Sequence, residues 1–418
     1  MVNAPKGTKD ILPQAVHKWH YIEKTIEKIA SLYGLKEIRT PIFEHTELFV
    51  RGIGETTDVV GKEMYTFLDK GSRSVTLKPE GTAGVARAYI ENNLNSFPAP
   101  AKMYYITPVF RYEKPQSGRL RQHHQFGIEI FGSYSPLADA EVISVAHKLF
   151  SAIGIKDLDL RINSIGCPAC RAKYNQALKE YFSSHIDKMC NTCAERLVKN
   201  PLRILDCKSA ICGKYTKNAP IMLDYLCAEC KEHHNGVQEA LGASDIAYTV
   251  DPMIVRGLDY YTKTVFEFVS TNIGSQGTVC GGGRYDNLVS DLGGKPAGAV
   301  GFGLGLERLI MVAEATGIAL GCEQKVSVYI APQDKANSIA AFALTQRLRE
   351  AGISAECDSL DRSLRAQMKY ADKQGYVYVI VLGQEEASTG QVQVKKMSDG
   401  SVTSVPIDNL AEFFKEIV

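Results

Sequence analysis

The run from Val255 to Glu267 places charged and phenolic side chains in a stretch that otherwise has the composition of a β-strand. Its residues Arg256, Asp259, Tyr260 and Tyr261 lie within six positions of one another. Burying a guanidinium and a carboxylate is costly unless both are paired, so the cluster favours a site for a small polar ligand. The alternative is an edge strand whose arginine and aspartate pair in solvent. Strand alternation predicts that Arg256 and Tyr260 share one face, with the other two on the opposite face or in a bend.

Three consecutive glycines, Gly281, Gly282 and Gly283, follow within the segment Ser275–Asp286. Glycine adds no side-chain packing and is entropically unfavourable to order. A glycine run next to a strand therefore indicates the close approach of a ligand or of another backbone.

A second glycine pattern has Gly301, Gly303 and Gly305 at alternate positions, shortly before Arg308. It lacks the last glycine of a dinucleotide-binding fingerprint, and no Gly-Lys-Ser/Thr follows to make a phosphate-binding P-loop. The pattern predicts a strand packed closely under a ligand and then a helix, although tight packing alone is an alternative. An arginine in the first turn of a helix opposes the helix dipole, which favours an anion-binding role.

Composition restricts the class of protein. The chain has 418 residues, of which 45% are hydrophobic and 23% charged, as expected for a soluble globular protein of two or three domains. The sequence shows neither an apolar run of about 18 residues nor a signal peptide, so we expect a cytoplasmic location and no membrane contact. The formal net charge of +1 gives no global attraction to nucleic acid, so any RNA contact must be local.

The pattern of apolar residues changes along the chain and predicts its domains. Helices and strands alternate over 1–165, a cysteine-rich helical stretch covers 166–245, and strands return over 246–320. We predict that the middle stretch is inserted into a catalytic domain formed by its two flanks. After a predicted linker at 317–325, strands and helices alternate over 326–418, which is typical of a small α/β domain with a partly parallel sheet.

A basic loop between two predicted strands carries Arg111 at its start and Arg119 inside it. Guanidinium groups at the tip of a hairpin suit anions, and Gln125 and Glu129, four residues apart on the returning strand, share one face. Taken alone, this pattern also fits a solvated hairpin. Beside the Arg256 segment it favours a site for phosphate and a small molecule.

Glu80 and Thr82 lie on a turn before a predicted helix. They offer a carboxylate and a hydroxyl to a ligand. The alternative is that both are ordinary residues of a helix start.

Eight of the eleven cysteines form four pairs in the predicted insertion: Cys167 and Cys170, Cys190 and Cys193, Cys207 and Cys212, and Cys227 and Cys230. Without a secretory signal, such pairs indicate metal ligands rather than disulfides, with free buried thiols as the alternative. Eight thiolates are enough for two tetrahedral zinc sites, and a closed shell of four thiolates leaves no open position for catalysis. We therefore predict one or two structural zinc ions. His233 and His234 are expected to be exposed polar residues and not ligands.

Together these motifs resemble those of the histidyl-tRNA synthetases, a family of class II aminoacyl-tRNA synthetases, over nearly the whole chain. The matches are Gly34 and Pro41 in the first class motif, Arg111 and Glu113 in the second, and Gly301, Gly303, Gly305 and Arg308 in the third. The segments Val255–Glu267 and Ser275–Asp286 resemble the two histidine-specific signatures. The resemblance implies an α/β (α+β) fold with an antiparallel-sheet catalytic domain, an inserted helical domain over the tRNA acceptor arm and a C-terminal α/β anticodon-binding domain. It also implies a homodimer formed through the first motif.

By this resemblance, the chain activates L-histidine with ATP and Mg²⁺ to histidyl-adenylate and then transfers the histidyl group to the 3′ end of tRNA(His). Attack of a carboxylate on phosphorus needs positioning and charge stabilisation more than a general base. The resemblance therefore makes Arg256 and Arg111 the catalytic residues. Asp259 is expected to orient its neighbours.

The resemblance assigns the histidine ligands to Glu80, Thr82, Arg111, Gln125, Glu129, Arg256, Tyr260 and Tyr261. Glu80, Thr82 and Gln125 contact the α-amino group in this assignment. Glu129 and Tyr261 bond the imidazole, because its two ring nitrogens need two polar partners.

ATP is assigned by the same resemblance to Arg111, Glu113, Arg119, His123 and Arg308. Arg111 clamps the α-phosphate, Glu113 reads the adenine amino group, and the other two arginines hold the outer phosphates. His123 stands where the family has a phenylalanine that stacks on adenine, and an imidazole can also stack.

Two other functions fit parts of the pattern. One is a binding protein, the synthetase-like regulatory subunit of the phosphoribosyltransferase of histidine biosynthesis, which typically lacks the anticodon domain. The other is a zinc-dependent RNA-binding protein without catalysis. Retention of Arg111, Arg256, Arg308 and a C-terminal domain favours the ligase. That domain has ten basic against twelve acidic residues, so RNA recognition there would rest on base contacts and stacking.

Overall fold

The computed structural model describes residues 1–54, 57–207, 209–271, 277–322 and 326–417. Residues 275 and 276 of the second signature segment and residues 323–325 of the predicted linker lie outside the described residues. The chain divides into two compact units, Met1–Cys322 and Glu323–Val418. Within the described ranges, no helix combines the length and the apolar character needed to cross a bilayer.

The first unit is built on a large sheet. The strands of this unit are β1 (Lys36–Glu37), β2 (Phe43–His45), β3 (Tyr65–Leu68), β4 (Ser74–Leu77), β5 (Ala101–Phe110), β6 (Gln122–Phe131), β7 (Leu158–Ser164), β8 (Thr249–Val250), β9 (Thr262–Ser270), β10 (Thr278–Arg284) and β11 (Ala299–Gly305). Over the described residues, eight of them pair in the order β1-β5-β6-β11-β10-β9-β7-β8, and β2, β4 and β3 form a small separate sheet. Only the outer pairs β1–β5 and β7–β8 of the described large sheet are parallel.

The helices of the first unit are α1 (Pro13–Leu32), α2 (Thr46–Ile53), α3 (Thr82–Glu91), α4 (Pro136–Ile153), α5 (Pro168–Ser183), α6 (Asn191–Lys199), α7 (Ala210–Thr216), α8 (Ala228–Ala243), α9 (Leu288–Asp291) and α10 (Leu306–Ala315). Helices α5 to α8 lie in the cysteine-rich stretch and share a core with the cysteines, around Tyr174, Leu178 and Phe182.

His233 and His234 on α8 are buried, so the expectation that they are exposed is wrong. His233 is buried because its ring contacts the buried carboxylate of Asp139, at 3.3 Å from Nε2 to Oδ1.

The second unit has a smaller sheet of β12 (Val328–Pro332), β13 (Ala355–Cys357), β14 (Tyr378–Leu382), β15 (Gln391–Lys396) and β16 (Val402–Pro406). Its helices are α11 (Ser338–Glu350), α12 (Leu364–Gln374), α13 (Gln384–Thr389) and α14 (Leu410–Ile417). Strand β12 pairs in parallel with β13 and β14, while β15 and β16 continue the sheet in antiparallel pairs. The antiparallel-rich first sheet, the helices and this second sheet confirm the predicted fold class.

The two faces of the large sheet differ in chemistry. Phe126, Ile128 and Ile130 of β6 point to one face, where helices α1, α4, α8 and α10 cover them in the main hydrophobic core. Strand alternation turns Gln125 and Glu129 to the opposite face. The helical face therefore carries the core, and the other face carries the polar side chains.

Glycines on the polar face leave room for the side chains of neighbouring segments. A Cβ at each of these positions would overlap a neighbouring side chain: Gly301 with Glu129, Gly303 with Gln125, Gly281 with Arg256 and Gly127 with Tyr105. Gly282 faces the helical side, where a Cβ would overlap the backbone oxygen of Gly301. The close approach predicted for the glycine run is thus made by side chains and backbone of the chain itself.

The predicted strand Val255–Glu267 is wrong in its first half, because β9 begins only at Thr262. Residues 255–261 form a loop whose backbone bonds outside the sheet. The amide of Asp259 donates to the carbonyl of Ile53 at 3.1 Å, and the carbonyl of Arg256 accepts from the Arg203 side chain at 2.8 Å. Arg256 and Tyr260 therefore do not share a strand face.

We predict that Gly301→Ala destabilises the protein by about 2 kcal/mol, because the added methyl group overlaps the Glu129 carboxylate and the backbone of Ile128. Gly305→Ala is the matched control on the same strand, since no atom of the described residues lies within 4 Å of a Cβ there. Urea denaturation of both variants measures the difference. An equal loss in both variants would contradict the steric explanation.

Candidate active site

A cavity of about 470 Å³ opens between the β5–β6 loop, strands β10 and β11 and helix α10. Seven of the residues predicted for ligand binding line it: Arg111, Glu113, Arg119, His123, Gln125, Arg256 and Arg308. Strand β11 ends at Gly305 and α10 begins at Leu306, so Arg308 lies in the first turn as predicted. Four arginines therefore line the cavity: Arg111 and Arg119 from the β5–β6 loop, Arg256, and Arg308 from the first turn of α10.

Arg256 is held by an acidic partner on the neighbouring strand. Its Nη1 forms an ion pair with Oε1 of Glu267, and Oε2 of Glu267 accepts a hydrogen bond from Thr278 Oγ1 at 3.0 Å. The Nε of Arg256 is buried and has no hydrogen-bond partner among the described residues. The guanidinium is thus fixed on one side and keeps hydrogen-bonding capacity for an anion.

The other arginines are tied mainly to backbone oxygens. Arg111 Nε donates to the carbonyl of Pro79 at 2.9 Å, and Arg308 donates from Nε to Gly118 and from Nη1 to Thr278, both at 2.8 Å. Arg119 forms an ion pair with Glu113, at 3.1 Å from Nε to Oε2. Arg111 and Arg308 thus bond to carbonyl oxygens and form no ion pair with a carboxylate among the described residues. Their positive charges make the cavity suitable for an anionic ligand.

His123 lies between these cations and is neutral at physiological pH. Burial, together with the charges of Arg111 and Arg308, lowers the pKa of His123 to about 3. Burial and the charge of Arg119 also lower the pKa of Arg308. A neutral imidazole in this position adds no further charge and offers a flat surface to an aromatic ligand.

A group of buried polar side chains, called the buried pocket below, lies on the same face of the sheet around the fully buried Glu129. Oε1 of Glu129 accepts hydrogen bonds from Thr82 Oγ1 at 2.7 Å and from the Tyr105 hydroxyl at 3.0 Å, and Oε2 accepts one from the Tyr285 hydroxyl. Burial raises the pKa of Glu129 to about 8. The carboxyl group therefore holds its proton near neutral pH until a cationic ligand or donor compensates the charge.

Glu80 is the second buried carboxylate of this pocket. Its Oε2 accepts a hydrogen bond from the Tyr260 hydroxyl at 3.0 Å, whereas Oε1 is buried and meets no donor in hydrogen-bonding geometry among the described residues. The adjacent amide of Gly81 donates to Gln125 Oε1 at 2.9 Å. An unsatisfied carboxylate oxygen in a buried pocket suits the ammonium group of a ligand.

The structure brings together all eight residues that the resemblance assigns to histidine. Tyr261 packs on Tyr260 with ring centroids 4.7 Å apart, and the Arg256 guanidinium lies 5.9 Å from the Tyr261 ring. Arg256 also lines the large cavity, so it stands between the two regions. Gln125 and Arg256 thus connect the buried pocket to the arginine-lined cavity.

Four contributors to this site were not identified from the sequence: Tyr105, Glu267, Thr278 and Tyr285. Thr278 and Tyr285 lie inside the second signature segment, and Glu267 ends the first, so these three had a positional signal. Tyr105 had none, because a tyrosine within an apolar strand is ordinarily a core residue.

The eight paired cysteines form two groups, and the sequence alone left this pairing open. The first thiol cluster is Cys167, Cys170, Cys227 and Cys230, and the second thiol cluster is Cys190, Cys193, Cys207 and Cys212. In each cluster the four sulfurs lie within 4.8 Å of one another. Sulfur atoms around tetrahedral zinc are about 3.8 Å apart. The separations of 3.5 Å for Cys167–Cys170 and 3.8 Å for Cys190–Cys207 fit that spacing.

Backbone amides also point at the sulfur atoms. The amide of Cys227 donates to Cys170 Sγ at 3.1 Å, and the amide of Cys190 donates to Cys212 Sγ at 3.3 Å. Hydrogen bonding by the Cys193 amide lowers the pKa of Cys190 to about 7. Donors of this kind favour the thiolate form that a metal ion binds, whereas burial raises the pKa of Cys170 and Cys207.

Comparison with known proteins gives a consistent result. The family model for histidyl-tRNA synthetase matches residues 7–309, and a model for an anticodon binding domain matches residues 327–417. A histidine–tRNA ligase of Acetivibrio thermocellus is 55% identical over 416 residues, covering 99% of this chain and 100% of the relative. The corresponding ligase of Thermoanaerobacter pseudethanolicus is 54% identical over 417 residues, covering 100% of both chains. A crystal structure of the apo histidyl-tRNA synthetase of S. aureus superposes with a TM-score of 0.85 at 40% identity, covering 99% of this chain and 100% of that one.

These matches extend over the catalytic signatures, the cysteine-rich stretch and the C-terminal unit alike. They confirm the family that the class motifs and the two histidine signatures predicted. The chain belongs to the histidyl-tRNA synthetase family of aminoacyl-tRNA ligases.

Proposed function

We propose that this chain joins L-histidine to tRNA(His) in two steps, with histidyl-adenylate as the intermediate. The observation that carries the proposal is the position of Arg256, which contacts Tyr261 of the buried pocket and lines the arginine-rich cavity. A single guanidinium can therefore reach the carboxylate of an amino acid and the α-phosphate of ATP together. The reaction proceeds in the cytoplasm, where ATP and tRNA are available and thiols stay reduced.

Histidine occupies the buried pocket. Its ammonium group bonds to Glu80, whose Oε1 needs a donor. Its imidazole lies against Glu129 and a tyrosine hydroxyl, so that both ring nitrogens are paired. An apolar side chain of similar size would leave these buried polar groups unpaired, which gives strong selection for histidine.

ATP occupies the cavity with its phosphates among the arginines. Arg111 and Arg256 bind the α-phosphate, Arg119 and Arg308 bind the outer phosphates, and Glu113 and His123 contact the adenine. Bound Mg²⁺ supplies further neutralisation of the phosphate charge. As the histidine carboxylate attacks the α-phosphorus of ATP, the bond to the β-phosphate breaks and pyrophosphate leaves. Arg256 stabilises the charge that develops between the two groups, and no general base is required.

Transfer to tRNA uses the remaining domains. We assign the catalytic domain to 1–165 and 246–320, the insertion over the acceptor arm to 166–245, and anticodon binding to 326–418. The C-terminal domain carries more acidic than basic residues, so it reads exposed bases through stacking and hydrogen bonds.

Histidine-dependent exchange of pyrophosphate into ATP tests the first step. We expect exchange by the wild-type protein with Mg²⁺ and a loss of about 100-fold in Arg256→Ala, because this residue stabilises charge in the transition state. Arg347→Ala is the control, since that arginine is exposed in the second unit and pairs with Asp408 at 2.9 Å. A pure, folded wild-type protein that gives no exchange above background would point to a binding protein and end the proposal.

We further propose that each thiol cluster holds one structural Zn²⁺, which ties the helices of the insertion together. Metal analysis of the purified protein is expected to give two zinc ions per chain. The double variant Cys190→Ser/Cys193→Ser is expected to keep one, and Cys322→Ser, at an exposed cysteine outside both clusters, to keep two. A folded wild-type sample without zinc would refute both sites.

The protein acts as a homodimer in this proposal, with the first class motif at the interface. Ile42 and Phe43 beside Pro41, and Phe67 and Leu68 on β3, are exposed apolar side chains around one small sheet. Exposed apolar surface of this kind marks an interface.

Light scattering is expected to give twice the 45.9 kDa chain mass for the wild type and the chain mass for Phe43→Asp. Leu137→Asp, at another exposed apolar residue, keeps the dimer mass in this prediction. A wild-type protein with the mass of a single chain would rule out the dimer.

A further inference from the structure

The loop 255–261, which carries Arg256, Tyr260 and Tyr261, is irregular and forms no strand pairs with the other described residues. Functional geometry on a loop depends on the contacts that fix it, because a loop has no sheet ladder of its own. Its ends are bonded to residues of the cysteine-rich insertion. The two ends have different partners, and each partner lies next to a different thiol cluster.

Arg203 holds the first end. Its Nη1 donates to the carbonyl of Arg256 at 2.8 Å, and its side chain is buried, with 8% of the residue exposed. Arg203 lies between Cys193 and Cys207 of the second thiol cluster. The nearby Asn200 donates to Asp259 Oδ1 at 3.2 Å, which gives Asp259 a structural contact inside the same loop.

Lys263 is the second residue of β9 and lies two residues after Tyr261, so it holds the strand into which the second end of the loop leads. Its backbone is in the left-handed region, with φ of 47°, which is rare for a residue other than glycine. Its amide donates to the carbonyl of Gly166 at 2.9 Å, and its carbonyl accepts from the amide of Ile165 at 2.7 Å. Gly166 immediately precedes Cys167 of the first thiol cluster.

The side chain of Lys263 reaches the other half of the same cluster. Its Nζ bonds to Glu229 Oε1 at 2.8 Å, and Glu229 is the neighbour of Cys230 on α8. Lys263 is nearly buried, whereas Glu229 is largely exposed. An ion pair with an exposed partner adds little stability, so its effect is to fix the direction of the chain at the strained residue.

We propose that Arg203 and Lys263 are positioning residues that hold the two ends of the loop for different purposes. Arg203 sets the position of Arg256, and therefore the rate of adenylate formation. Lys263 sets the position of Tyr260 and Tyr261, and therefore the affinity for histidine. The inference rests on the proposed function, because it divides two kinetic constants of that reaction between two anchors.

Pyrophosphate exchange measured over a range of histidine and ATP concentrations tests the division. Arg203→Met is expected to lower kcat about tenfold with little change in the KM for histidine, and Arg203→Lys to recover part of the rate. Lys263→Met is expected to raise the KM for histidine about tenfold with little change in the KM for ATP, and Lys263→Arg to recover part of the affinity. Lys335→Met is the control for loss of an ion-paired lysine, since its pair with Asp361 is exposed in the second unit.

Glu229→Gln tests the same anchor from its exposed side, where the substitution removes the ion pair without disturbing a core. Like Lys263→Met, it is expected to lower the affinity for histidine. Isothermal titration calorimetry without ATP measures this affinity. The inference fails if the wild-type protein exchanges pyrophosphate and the losses in Arg203→Met and Lys263→Met fall on the same kinetic constant, or if neither variant changes kcat or the KM for histidine. A wild-type protein without exchange would instead reject the proposed function itself.

Discussion

The site depends on steric room at the polar face of the large sheet. Glu129, Gln125 and Arg256 lie close against this face, and they do so because Gly301, Gly303 and Gly281 carry no Cβ beneath them. On the opposite face, residues such as Phe126 and Ile128 pack into the helical core. The same strands therefore stabilise the fold with one set of side chains and position ligand-binding groups with the next. This arrangement is possible because successive side chains of a strand alternate between its two faces.

Charge is distributed along the site in a way that matches two different ligands. The buried pocket contains carboxylates with raised pKa values, because burial disfavours their charge and hydroxyl donors compensate it only in part. The open cavity contains the arginines. In the function that we propose, the amino acid presents its ammonium group to the first region and its carboxylate to the second. Arg256 lies where the two regions meet. In the proposed function, the opposite charges of the two regions therefore set the orientation of the bound amino acid.

The sequence predicted the family, the fold class and most of the residues now found together, but it did not predict how they are held. Arg256 was expected on a strand because its segment alternates like one, yet tertiary hydrogen bonds to Arg203 and Ile53 hold the segment as a loop. Periodicity reports local preference and carries no information about such distant partners. Tyr105 was missed for a related reason, since its hydroxyl meets Glu129 only through the pairing of β5 with β6. The burial of His233 also depends on a partner distant in sequence, Asp139.

The cysteine-rich stretch illustrates the same limit and its consequence. Spacing showed that four pairs of thiols were available, but only the fold shows how they combine. The first pair along the chain joins the fourth, and the second joins the third. The first thiol cluster therefore brings together the beginning and the end of the insertion. This arrangement places one cluster beside Gly166 and Glu229, and the other around the segment that carries Arg203. With the zinc ions that we propose, both thiol clusters would stiffen this small helical domain, and an irregular loop that carries site residues needs rigid surroundings. In the function that we propose, the insertion therefore serves the first chemical step as well as the handling of tRNA.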